Sequence, residues 1–404
     1  MVSFAEIEEA RVRTGEAVKV TPLRPSEGLS RLVGAAVSLK LENHQHTGSF
    51  KSRGALNRLL TLDPELRRNG VVAASAGNHA QGVAYHATRL QIRSTIVMPL
   101  GTPLAKVKRT QDYGAEVVLH GATYEEALAR AQQITEERQA VYLHGFDDDY
   151  IIAGQGTLGL ELVEQNPYAS VVVLPVGGGG LIAGVALALK TVNPSVRIVG
   201  VEVSGAPSMQ RAIENGGPVT IIPERTLAEG IAVGRVGQRC YEICRDHVDA
   251  WVNVEEDEVA RAILYLLEQE KTVAEGAGAA AVAALLAGKV EVAPKSKVIA
   301  VVSGGNIDVN MISRIIERGL VESGRLYRCR VTVPDRPGSL ATMLRVIADL
   351  QANVLEVQHE RAFLRGSLGR VTIETVVETK GHEHCRELVT ALEGKGFVVT
   401  TPDL

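Results

Sequence analysis

Six short runs rich in β-branched and aliphatic residues alternate with helix-like segments, and this alternation constrains the fold more than any other feature. The runs are Val71-Val72-Ala73-Ala74, Ser94-Thr95-Ile96-Val97-Met98, Glu116-Val117-Val118-Leu119, Val171-Val172-Val173-Leu174, Ile198-Val199-Gly200-Val201-Glu202 and Lys297-Val298-Ile299-Ala300-Val301-Val302. Helical patterns follow, for example over about 78–90 and from Pro103. Nearly continuous apolar runs suit strands covered on both faces, as in parallel sheets. Strand–helix repetition over some 250 residues predicts an open α/β architecture, with two sheets. Ligands of such sheets sit beyond the carboxyl ends of the strands, so the loops there are where chemistry is expected.

The pattern changes near residues 321–325, which read as a linker. The remaining 326–404 read as strand (326–333), turn (334–338), helix (to 350), strand (353–359), strand (369–379), helix (about 382–393) and strand (397–401). This is a βαββαβ unit of ferredoxin-like order.

Composition excludes several classes of function. A net charge of -4 with 22% charged residues, and no basic run, gives no nucleic-acid face. The start of the chain is acidic early and has no secretory pattern. Apolar stretches such as 279–287 are alanine-rich and too short to cross a bilayer, so no membrane partner is expected. Cys240, Cys244, Cys329 and Cys385 form no CxxC pair and no Cys/His metal spacing. They read as reduced thiols, with 240 and 244 on one helix face, and a cytoplasmic location is expected. Forty glycines beside only 4% aromatics fit tight strand-to-helix turns that bring backbone close to a ligand.

Four segments stand out at such turns. In Ser49-Phe50-Lys51-Ser52-Arg53-Gly54-Ala55 a glycine turn, an aromatic and one lysine precede a helix. A desolvated lysine there is suited to forming a Schiff base with an aldehyde cofactor, although a lone lysine at a helix start is otherwise a surface residue. Ser75-Ala76-Gly77-Asn78-His79-Ala80-Gln81-Gly82 opens a helix whose amides and dipole suit a carboxylate, or are simply capped. Pro175-Val176-Gly177-Gly178-Gly179-Gly180-Leu181 can turn successive N–H groups toward one anion, or be a flexible turn. Ser303-Gly304-Gly305-Asn306 follows the last apolar run and, alone, reads as a helix cap.

Taken together and in this order, these segments resemble the fold-type-II pyridoxal-phosphate enzymes over about residues 15–320. Among them they look most like the threonine ammonia-lyases and their serine-racemase relatives. The resemblance implies a catalytic domain at 1–320, with a smaller subdomain at about 42–145 inserted in a larger one. It implies pyridoxal 5'-phosphate held by Lys51 and Phe50, with Gly177, Gly178, Gly179, Gly180 and Leu181 around its phosphate. Asn78 would face its ring oxygen and Ser303 its ring nitrogen. Ser75, Ala76, Gly77, Asn78 and His79 would hold the substrate carboxylate. Lys51 would be the catalytic base in deaminating L-threonine to 2-oxobutanoate and ammonia, with L-serine as a further substrate, in a step toward isoleucine.

Two departures from the racemase pattern matter. Ala76 stands where those racemases carry a second serine, so it has no proton to give. The racemase-like divalent site would use Glu202, the Ala206 carbonyl and an acid two residues on, where this chain has Ser208; one carboxylate is a poor cage for a hard cation, and no metal is expected. Competing readings are a serine-preferring dehydratase or racemase, a threonine synthase, and an amino-acid sensor with a silent catalytic half. The tail, with Asp335-Arg336-Pro337-Gly338-Ser339-Leu340 at its first strand–helix turn, resembles an ACT domain. That turn and Asn353 are the expected seat of an amino-acid effector, though alone the turn reads as capped. A homo-oligomer, dimer or tetramer, is expected.

Overall fold

The apolar runs become strands of two separate sheets. The structure is a computed structural model and describes residues 2–360 and 369–400. Its larger sheet has the order Leu23–Pro25, Ala36–Leu41, Lys297–Val302, Val171–Pro175, Arg197–Val203, Ala250–Val254. All neighbours are parallel except Leu23–Pro25, which adds antiparallel at one edge. The smaller sheet has the order Glu116–Leu119, Ser94–Met98, Val71–Ala74, Val141–Tyr142 and is parallel throughout. Val71–Ala74, Ser94–Met98 and Val171–Pro175 are buried at every residue, which requires cover on both faces. Glu116–Leu119 differs from the expected burial. It is the edge strand, and its two end residues are exposed.

The sequence pattern did not anticipate Leu23–Pro25, Ala36–Leu41, Val141–Tyr142 or Ala250–Val254. In Ala36–Leu41 the apolar run is broken by Ser38 and Lys40, yet Lys40 is fully buried because it is paired. A buried ion pair therefore disguised a core strand.

The chain divides into two compact units, Met1–Asp308 and Val309–Leu404. The helix Val309–Glu322 belongs to the second unit, so the division falls earlier than the linker expected at 321–325. The second unit then has one antiparallel sheet ordered Asn353–Glu360, Arg370–Glu378, Leu326–Pro334, Val398–Thr400, with helices Ser339–Asp349 and His382–Glu393. This is the βαββαβ order. Thr401, expected to end the last strand, lies outside the described residues. Val331, Val333, Met343, Ile347, Ile373, Val377, Leu388 and Leu392 form this unit's core.

Candidate active site

All four sequence segments follow the carboxyl ends of parallel strands in the first unit. The lysine segment follows Ala36–Leu41, and Ser303 follows Lys297–Val302, its parallel neighbour. The two loops stay zipped beyond the sheet. Phe50 N donates to Ser303 O at 3.0 Å, Gly305 N donates to Gly48 O at 2.9 Å, and Ser49 and Gly304 form an antiparallel bridge. Gly48 has φ +74°, a left-handed conformation suited to glycine.

Lys51 opens the helix Lys51–Leu60. Its Nζ donates to Gly145 O at 2.6 Å and lies 5.2 Å from the Phe50 ring centroid. Burial lowers its pKa to about 8, with Cys240 and Glu275 opposing the shift. An amine in this range can release its proton near neutral pH, as a nucleophile or base requires.

The glycine run joins Val171–Pro175 to the helix Gly180–Val192. Gly179 has φ +97°, and a Cβ there would lie 2.6 Å from Met209 Cε and 2.8 Å from Cys240 Cβ. At Gly178 a Cβ would lie 2.3 Å from the Phe146 ring. His144 holds that wall, its Nδ1 accepting from Phe146 N at 3.2 Å and Asp147 N at 2.8 Å, with its ring edge-on to Phe146. The result is a cradle lined by backbone at the start of a helix, where N–H groups are without intrahelical partners.

Ser75 to Asn78 are half-buried between Val71–Ala74 and the helix Asn78–Arg89. Gly77 N donates to Ser75 Oγ at 3.2 Å. Asn78 Nδ2 donates to Glu275 Oε1 at 2.5 Å, and Asn78 Oδ1 accepts from Asn306 Nδ2 at 2.7 Å. The loops of the two sheets thus meet at Asn78. His79 is the second residue of that helix, and its side chain is engaged elsewhere. Its buried ring is hydrogen-bonded to Leu143 O through Nε2 at 3.1 Å, and burial lowers its pKa to about 3, so it is neutral. Ser303 is buried, with one long contact of its hydroxyl, 3.5 Å to Ala277 O.

Behind the lysine helix lies a buried quartet. Arg53 bridges Glu42 through Nε at 2.7 Å and Glu161 through an NH group at 2.6 Å, and Lys40 Nζ lies 2.5 Å from Glu161. Burial raises the pKa of the Glu42 carboxyl, but adjacent Arg53 overrides this and holds it ionised. The four charges cancel and tie Lys51–Leu60 to Ala36–Leu41 and Asp149–Gln165. Glu202 is engaged differently. It accepts from Met209 N at 2.7 Å and Gln210 N at 2.8 Å, while burial raises its pKa to about 7. Ser208 Oγ donates to Val233 O.

In the second unit, Asp335, Arg336, Pro337 and Gly338 are exposed, and Ser339 and Leu340 are half-buried at the start of Ser339–Asp349. Gly338 has φ +92°. The exposed Asn353 donates through Nδ2 to Glu378 Oε2 at 2.8 Å.

Glu275, Asn306, Gly145, Phe146 and Arg109 were not assigned roles from the sequence. One signal for Glu275 was present. The helix Gly276–Leu286 has no polar face and is buried at all but its last residue, so the acid before it must be enclosed too.

The residues present fit pyridoxal phosphate. An amine, a backbone cradle in which a Cβ would clash, and a buried hydroxyl with almost no partner converge, beside buried Thr47 Oγ1, Ser49 Oγ and Gln81 Oε1 that have no hydrogen-bond partner. Residues 15–304 match the family described as pyridoxal-phosphate dependent enzyme, and 327–395 match the ACT domain. The chain belongs to the pyridoxal-phosphate dependent enzyme family and carries a C-terminal ACT domain. It is 48% identical over 399 residues to an L-threonine ammonia-lyase of Thermotoga maritima, and 45% identical over 399 residues to one of Geobacter sulfurreducens, covering 99% of both chains in each case. Among solved structures, maize serine racemase aligns with TM-score 0.75 and 35% identity, over 80% of this chain and 98% of that one. The processed form of threonine deaminase isoform 2 from Solanum lycopersicum aligns with TM-score 0.72 and 36% identity, over 78% and 93%.

Proposed function

We propose that this chain is a pyridoxal-phosphate-dependent lyase that deaminates L-threonine to 2-oxobutanoate and ammonia, and L-serine to pyruvate. The observation that carries the reading is Lys51, whose enclosed amine faces the glycine cradle's loop system in a chain whose full-length relatives are named L-threonine ammonia-lyase. When bound, pyridoxal phosphate supplies a conjugated ring that stabilises negative charge at the carbon bearing the amino group.

Lys51 would anchor the cofactor covalently, and its free amine would be the base that removes the Cα proton. Gly177 to Gly180 and Leu181 would present amides to the phosphate. Asn78 would donate to the ring oxygen, and the Phe50 backbone holds the lysine loop against Ser303. Ser303 would offer a neutral hydroxyl to the ring nitrogen, where a carboxylate would instead hold a proton on it. A ring left unprotonated there would favour prompt loss of the β-hydroxyl. The helix start at Ser75, Ala76, Gly77, Asn78 and His79 receives the substrate carboxylate. The neutral His79 ring serves as a strut, and its backbone amide is the group available to the substrate.

Ala76 has no hydroxyl to protonate the opposite face of Cα, which argues against racemisation. The ACT domain is read as the seat of an amino-acid effector at Asp335 to Leu340 and Asn353, with isoleucine as the inhibitor, and the chain as a homo-oligomer. Among the described residues no helix is long and apolar enough to cross a membrane. The four buried free thiols support a cytoplasmic location. The test is 2-oxo-acid release from threonine and from serine, with chiral analysis of the remaining serine. Threonine turnover without D-serine is expected. Rapid D-serine formation, or no 2-oxobutanoate, would overturn the reading.

A further inference from the structure

Asn306 sits between groups whose roles in hydrogen bonding are fixed. Its Nδ2 donates to Thr47 O at 2.7 Å, which can only accept, and its Oδ1 accepts from Arg109 NH1 at 3.0 Å, which can only donate. This sets the Asn306 amide with its nitrogen also toward Asn78, at 2.7 Å from Asn78 Oδ1. Asn78 must therefore present its oxygen to Asn306 and its nitrogen elsewhere. Glu275 Oε1 takes one of the two nitrogen-bound hydrogens, at 2.5 Å. Glu275 is free to do this because its side chain makes no cap bond to the helix it precedes. Gly304 leaves the room, since a Cβ there would lie 2.4 Å from Glu275 Oε1 and 3.2 Å from Asn78 Nδ2. Burial raises the pKa of the Glu275 carboxyl, opposed by Asn78, Lys106 and the Asn306 backbone and reinforced by Glu229. Lys51 is also within its electrostatic reach.

We propose that Glu275 is a positioning residue which, with Asn306, locks the Asn78 carboxamide in one orientation, so that the second Asn78 N–H is the donor to the cofactor's ring oxygen. The proposal rests on the reading of Asn78 given above. An amide free to flip would offer its oxygen to another oxygen for part of the time, and the donation would be lost. Arg109, at the outer end, acts through the same chain from the helix Leu104–Asp112.

The test uses the full-length enzyme loaded with pyridoxal phosphate, and reads the pH midpoint of the cofactor's visible absorbance. An N–H donated to the ring oxygen draws off charge that otherwise helps hold the neighbouring proton on the lysine-bound nitrogen. Losing that donor raises the midpoint. Asn78→Ala and Glu275→Leu are each expected to raise it by about one unit, the size of one charge-assisted hydrogen bond. The double variant should show no further rise. Glu275→Gln keeps a carbonyl acceptor and should fall nearer the wild type than Glu275→Leu does. If Asn78→Ala shifts the midpoint and Glu275→Leu does not, the positioning role is overturned while the assignment of Asn78 stands. If neither shifts it, both are overturned. Additive shifts in the double variant would mean that Glu275 acts on the cofactor directly, against the proposal. Should Glu275→Leu fail to fold, Asn306→Ala takes its place, with the same expected rise and the same lack of additivity with Asn78→Ala.

Discussion

Lys51 and the 335–340 turn both lie just beyond a strand's carboxyl end, but their surroundings differ. Lys51 is enclosed, within reach of a buried carboxyl, a buried thiol and paired amides. The turn in the second unit stands largely in solvent. Among the described residues, every buried side-chain polar atom without a hydrogen-bond partner lies in the first unit, and three of them, on Thr47, Ser49 and Gln81, flank its site. Such atoms are costly unless a ligand satisfies them. The first unit is therefore built around a bound group, whereas the second folds with its polar groups already satisfied by solvent or by one another. An effector there can only bias states that exist without it.

The largest effect expected from this contrast is at Lys51. Lys51→Ala should lower turnover by roughly a thousandfold or more and leave the cofactor non-covalently bound. Initial rates and the loss of the lysine-bound absorbance check this. Near-normal activity would place the chemistry elsewhere.

Next in size is the quartet behind it. Arg53→Ala leaves Glu42 and Glu161 buried with one fewer cation. It should cost about 3–5 kcal/mol of stability, read by denaturant unfolding. In the second unit no charge is comparably enclosed among the described residues, so single charge removals there should cost far less. Comparable losses in the two units would break the comparison.

The lysine also gives the cofactor-free protein a pH signature. Its folded pKa, about 8, lies below the ordinary lysine value of 10.5. Between these values the unfolded chain binds more protons, so stability should rise with pH from about 8 to 10.5 by roughly 3 kcal/mol from this group. Below the folded pKa both states are protonated and the gain is absent. Lys51→Met should remove this slope, measured by unfolding at a series of pH values.

The contrast also explains what could be read in advance. Lys51, Asn78, the 177–180 glycines and Ser303 could be singled out in advance because each lies in a short segment next to a strand end. There, local conformation and chemistry coincide in a few residues. Glu275 was not, because its function depends on Asn78 and Asn306, which are distant in the chain. Ala36–Leu41 was hidden by Lys40, whose charge reads as surface until Glu161 is seen beside it. His79 was expected at the carboxylate as part of a helix start, and the direction of its ring, which that expectation did not address, depends on Leu143, more than sixty residues on. The boundary near 321–325 was drawn at polar residues, whereas helix Val309–Glu322 runs almost through it.

That boundary shapes the test of regulation. Because Val309–Glu322 groups with the second unit, a chain ending at Asp308 is the cleaner truncation. It should keep threonine turnover and lose any response to isoleucine. A truncated enzyme that still responds would move the effector site into the first unit. A full-length enzyme deaf to isoleucine, valine and threonine would make the ACT domain structural or oligomer-forming.

The smallest effect is expected at Asn353. Its side chain is exposed and makes one hydrogen bond, to Glu378 on the neighbouring strand. An exposed hydrogen bond of this kind contributes little, so Asn353→Ala should change stability by no more than about 0.5 kcal/mol. If Asn353 also contacts the effector, the isoleucine concentration for half-inhibition should rise several-fold, with kcat and KM for threonine unchanged in its absence. The engaged amide sharpens this further. Glu378→Gln keeps an acceptor for Asn353 but removes the negative charge. An effector contact that relies on Asn353 alone should then survive, while one that needs the carboxylate to meet an effector's ammonium should weaken. If neither variant alters the isoleucine response that the full-length enzyme shows, the effector lies away from the opening of strand Asn353–Glu360. The 335–340 turn is then left to carry the site without it.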